Sequence, residues 1–123
     1  MFAVGDVIAF WSDDAGKRKY HLCISFDGHF IFLNSPKHKS YPGDMFVPCK
    51  EIDCIPATDS GFSVISCTML MKKNDAELVK CGAKRLGSVK PKLLAELAKF
   101  VSTSPVLTEE DKEIFLNAIG DWA

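Results

Sequence analysis

The sequence predicts a mainly β fold with C-terminal helices: a small antiparallel barrel over about residues 1–73, covered by two or three helices from about residues 74–123. Three observations predict it. Three β-rich runs, Gly5–Trp11, Lys19–Ser25 and His29–Ser35, follow one another in quick succession. Asp27-Gly28 separates the second from the third and supplies the positive φ values of a tight hairpin. After residue 73 the apolar residues change from strand to helical spacing.

Each element has its own signal. The loop Pro36–Gly43 carries two prolines and a glycine, so it is irregular. Asp44–Cys49 reads as a short fourth strand. Pro48 removes a ladder donor and places that strand at an edge or at its own end. Phe62–Met71 is the longest strand candidate, and its alternation sets Val64, Ser66 and Thr68 on one face and Ile65, Cys67 and Met69 on the other. Asn74 caps a short helix, Glu77 reaches back to it, and Gly82 stops it. Ser88 opens a longer helix with the stripe Val89, Leu93, Leu94, Leu97 and Val101. Thr108 caps the last helix, and Glu109, Glu110 and Asp111 complement its positive end. Trp11, Phe26, Phe30, Phe32, Phe46 and Phe62 read as core packing. Barrel closure would leave no exposed strand edge.

With 123 residues the chain is expected to form one domain with a real core. Its net charge is −1, so any nucleic-acid surface has to be a local patch. No apolar run reaches the roughly 20 residues of a membrane span. The N-terminus lacks the features of a signal peptide, and the expected location is cytoplasmic. The five cysteines are scattered and odd in number, as suits reduced thiols. Cys49 and Cys54 have no second Cys/His pair with metal-site spacing, so neither a metal nor a cofactor is expected.

Basic residues cluster twice: Lys17, Arg18, Lys19 and His21 at a loop-to-strand junction, and Lys37, His38 and Lys39 after the hairpin. A barrel that brings both loops to one end creates a local phosphate-binding patch, with Tyr20 and Tyr41 beside it to stack bases. His21 and His38 are the acid/base candidates because histidine titrates near neutral pH. Asn34, Ser35, Ser40 and Thr68 are small polar groups able to bond phosphate or a base edge. The same residues also read as two solvated loops, turn chemistry before Pro36 and a β-branched strand position.

The run Gly5-Asp-Val-Ile8, the charged loop through Lys17, Arg18 and Lys19, the strand ending Leu22-Cys-Ile-Ser25, the run Ser63–Cys67, and Lys84-Arg-Leu-Gly87 before Pro91–Leu97 together resemble the PemK/MazF/CcdB-like toxins. These have SH3-like barrels and include ribosome-independent mRNA interferases. The resemblance covers roughly residues 4–101 and rests on the order of its motifs. It implies a divergent toxin-like endoribonuclease acting on single-stranded RNA, a homodimer, and an antitoxin protein that neutralises it. Lys19-Tyr20 stands where the interferases usually have Arg-Pro. Asn34-Ser35 stands where a Thr-Ser pair usually ends the third strand. Thr68-Met69, with Lys72 and Lys73 just beyond, stands where Asp-Gln and a nearby Arg usually follow. Cleavage needs a cation for the phosphorane and a group to move protons. On the enzyme reading Lys19, His21 and His38 carry these roles, and Lys17, Arg18, Asn34, Ser35, Lys37, Thr68 and Lys72 bind the substrate. The competing class is a non-catalytic SH3-like module that binds RNA or a protein partner.

Overall fold

The opening strand is buried on both faces, because Val7 joins one apolar cluster while Ile8 and Phe10 join another. This fixes the layer order of the molecule. The structure, a computed structural model, describes residues 1–36 and 41–122. Its strands are β1 (Asp6–Ser12), β2 (Lys17–Ser25), β3 (His29–Asn34), β4 (Asp44–Pro48), β5 (Phe62–Lys72) and β6 (Lys84–Ser88). Its α-helices are α1 (Asp75–Lys80), α2 (Pro91–Ser102) and α3 (Glu109–Ile119).

All strand pairs are antiparallel, in one six-stranded sheet of order β4-β5-β3-β2-β1-β6. Among the described residues β4 and β6 are the two edges and do not pair, so the sheet is open where closure was expected. Strand β6 carries no strand signal of its own in the sequence. Lys84–Ser88 lies against β1 and displaces the expected helix start from Ser88 to the cap at Lys90, with Pro91 in the first helical position. Proline suits that position because its missing N–H would have no intrahelical partner there. Asp6 helps to hold β6 in place. Its carboxylate accepts from Arg85 Nε at 3.0 Å and from the Ala3 amide at 2.8 Å.

One face of the sheet carries Val7, Leu22, Ile24, Ile31, Leu33, Val47 and Ile65, packed with Leu93, Leu94 and Leu97 of α2 and Phe115 and Ile119 of α3. The other carries Ile8, Phe10, Cys23 and Phe30, covered by Leu78 of α1. The helix signals appear as read: Asn74 and Glu77 form a capping box, and the Thr108 hydroxyl accepts from the Asp111 amide at 3.1 Å. At the hairpin Gly28 has φ of 88°.

The expected aromatic core divides. Phe30 is buried, whereas Trp11, Phe26, Phe46 and Phe62 are exposed. Phe46 and Phe62 take the exposed side of β4 and β5, because their neighbours Val47 and Ser63 turn inward. All five cysteines are free thiols, with Cys23 and Cys67 buried. Burial pushes their thiols up, to about 11 and about 12 respectively.

Candidate functional site

Antiparallel pairing places the start of β2, the end of β3 and the start of β5 at one end of the sheet. Tyr20 stands opposite Leu33, and Asn34 opposite Val64. A cavity of about 340 Å³ opens there. Lys17, Arg18, Lys19, Tyr20, Asn34, Ser35, Thr58 and Ser63 are among its lining residues. A second cavity of about 180 Å³ adjoins it, lined by Asn34, Ser35, Tyr41, Asp44, Val64, Ser66 and Thr68. Asn34 and Ser35 belong to both and form the wall between them.

A hydrogen-bonded chain crosses three strands at this wall. Lys19 Nζ donates to Asn34 Oδ1, and Asn34 Nδ2 donates to Ser66 Oγ at 2.7 Å. The Lys19 ammonium also lies 4.7 Å from the centroid of the Phe32 ring. A cation held over an aromatic face by a fixed acceptor is a positioned point charge, suited to a phosphate. Lys17 is exposed beside it. The Arg18 guanidinium is committed elsewhere, donating to Ala9 O at 3.2 Å and to Gly82 O at 2.9 Å.

Six of the expected site residues therefore meet: Lys17, Arg18, Lys19, Asn34 and Ser35 at the first cavity, and Thr68 at the second. His21 does not join them. It is 0% exposed, stacked on Phe10 at 3.5 Å between ring centroids and tilted against Phe32 at 5.1 Å. Among the described residues neither of its ring nitrogens has a hydrogen-bond partner of normal geometry. Burial pushes its pKa down to about 4, only partly offset by the nearby main-chain groups of Ile8 and Lys19. At neutral pH it is an uncharged ring walled off from both cavities. Lys72 lies at the opposite end of the sheet, paired with His29. Lys37 and His38, with Lys39 and Ser40, lie outside the described residues.

Ser66 and Asp44 were not picked out from the sequence. Asp44 faces Ser66 across the β4–β5 pair, so both line the second cavity. The alternation of Phe62–Met71 already put Ser66 on the same face as Thr68, and that was the available signal. Cys49 lies behind the first cavity. The Thr58 amide and the hydroxyls of Thr58 and Ser63 approach its sulfur at 3.4, 3.6 and 3.7 Å and lower its pKa.

Fold and site together define an open antiparallel sheet with helices on both faces and a cationic, hydroxyl-rich cavity at one end of its strands. Comparison with family models, curated proteins and solved structures gives no match. Among the described residues no helix is long and apolar enough to cross a membrane.

Proposed function

We propose that this chain is a binding module for single-stranded RNA, built on an SH3-like arrangement of its first five strands. The observation that carries the reading is the cavity at the strand ends, where Lys17 and the fixed Lys19 ammonium meet the amide of Asn34 and the hydroxyls of Ser35 and Thr58. Lysines at such a mouth take phosphate, and the amide and hydroxyls bond sugar, phosphate or base edges. Tyr20 lies alongside as a partner for a base. A binding role is favoured over cleavage because His21, the acid/base candidate among the described residues, is buried and lines neither cavity.

The test is fluorescence anisotropy with a labelled single-stranded RNA across a salt series. Binding should weaken as salt rises, since phosphate contacts release counterions. Lys17→Gln and Lys19→Gln should each reduce the slope of log affinity against log salt by about 0.7. No binding at low salt would remove the proposal.

The second reading is the toxin-like endoribonuclease, neutralised by an antitoxin. It is favoured by one observation: Lys19, Asn34 and Ser35, which replace the interferases' usual groups, stand together on one cavity. On that reading RNA is cut in the same assay and induced expression arrests growth. The chain should also be a homodimer by light scattering, and a strict monomer at high concentration would count against it.

A further inference from the structure

Phe46 on β4 and Phe62 on β5 are each 44% exposed. They share a face, because Phe46 stands opposite Val64 and Phe62 opposite Pro48. Such diagonal neighbours lie roughly 7–8 Å apart. Met45 and Val47, the alternate residues of β4, pack against or belong to the helix-covered core, so the two rings cannot be drawn inward without turning the strand over.

The register ties these rings to the proposed phosphate site. Asn34 is opposite Val64, and Val64 is opposite Phe46. Lys19 bonds Asn34 from the next strand. Lys19, Asn34, Val64 and Phe46 thus form one row across four strands, spanning roughly 14 Å at the usual strand spacing. The row has a polarity. Its Lys19 end is cationic, while at the other end the Asp44 carboxylate stands two residues from Phe46, opposite Ser66. A phosphate is attracted to the first end and repelled from the second. A base has an aromatic face for the phenylalanines and N–H groups that can donate to a carboxylate.

Resting on the RNA-binding reading above, we propose that Phe46 and Phe62 form a base-stacking platform, so that a single strand crosses the sheet with its phosphates at Lys17 and Lys19 and its bases on the β4–β5 edge. Stacking on exposed aromatic residues tolerates any base, so the platform adds affinity more than sequence preference.

The test uses two labelled probes of equal length, an oligouridylate and an abasic ribose-phosphate oligomer. Phe46→Leu and Phe62→Leu keep apolar bulk and lose the aromatic face, so folding is spared. Each should weaken oligouridylate binding roughly tenfold, leaving the salt slope and the abasic affinity unchanged. Phe46→Tyr should bind as the parent does. Equal weakening on both probes would overturn the platform, as would parent-like affinity in both leucine variants. Loss of self-association without loss of RNA affinity would overturn it in favour of a contact between two copies. If the parent binds the oligouridylate with the expected salt slope while the leucine variants match it, only the platform falls. If the parent does not bind RNA, the RNA-binding reading falls and the platform with it.

Discussion

Gly28→Ala should be the most damaging single-methyl change in this fold, lowering stability by about 3–5 kcal/mol, whereas Gly16→Ala should cost only about 1 kcal/mol. Both glycines have positive φ, 88° at Gly28 and 65° at Gly16, so both changes incur the left-handed penalty. They differ in what the new methyl meets. At Gly16 nothing among the described residues beyond its chain neighbours lies within 4 Å of the new methyl. At Gly28 a Cβ would fall 2.2 Å from the Lys73 carbonyl oxygen. That oxygen is main chain and cannot rotate away as a side-chain tip would. The same two residues are joined by the Lys73 amide donating to Gly28 O at 2.9 Å, the bond that ties the β2–β3 turn to the chain leaving β5. Relieving the clash means breaking this tie. Urea denaturation of the two variants beside the parent measures the difference, and equal costs would refute the account.

Gly28 also shows what the sequence could and could not reveal. Asp27-Gly28 between two β-rich runs announces a turn, because few other pairs reach positive φ without strain. The crowding at Lys73 comes from a segment 45 positions further on, and no local pattern carries it. The same division runs through the fold. Strands β1–β5 and the caps Asn74 and Thr108 were legible because alternation, turn residues and capping chemistry are local signals. Strand β6 was not, since Lys84-Arg-Leu-Gly-Ser88 is polar and contains a glycine. It is a strand because the edge of β1 offers it a ladder and Asp6 offers Arg85 a partner.

The candidate site divides in the same way. Lys17, Lys19, Asn34 and Ser35 could be chosen because basic and small polar residues at the ends of a hairpin converge by topology. The exposure of Phe46 and Phe62 was misread, since an aromatic residue at an alternating position is core on a central strand and surface on the uncovered side of an edge pair. Pro48 had already marked β4 as an edge or strand end, and that mark was the clue. His21 was misread for the opposite reason. Its neighbours Tyr20 and Leu22 gave no sign that Phe10 and Phe32 would close over the ring from both adjacent strands.

That closure gives wild-type protein a pH dependence that His21→Phe should lose. Between about pH 6.5 and about pH 4 the parent should lose about 3 kcal/mol of stability more than the variant does. In the unfolded chain His21 binds a proton near its ordinary value of 6.5, while in the folded protein burial holds it down at about 4. Across that window the unfolded state carries more protons, so acidification draws the equilibrium towards unfolding. The contribution is fully present above about pH 6.5, declines as pH falls, and is exhausted below about pH 4. His29 is lowered too, chiefly by desolvation and then by Lys72, but it titrates in both proteins and cancels in the difference. Phenylalanine preserves the stack on Phe10 and removes two ring nitrogens that have no partner among the described residues, so it does not add an unsatisfied group. Its extra bulk shifts the whole curve by a constant, which makes the slope the quantity to read. Denaturant midpoints at half-unit steps from pH 7 to pH 4 supply it. Parallel curves for the two proteins would mean that His21 titrates in the folded protein as it does in the unfolded chain, and is not sealed from water. A parent curve that falls more steeply than the variant's between pH 6.5 and pH 4 would establish a ring sealed from water, without access to RNA held at Lys19.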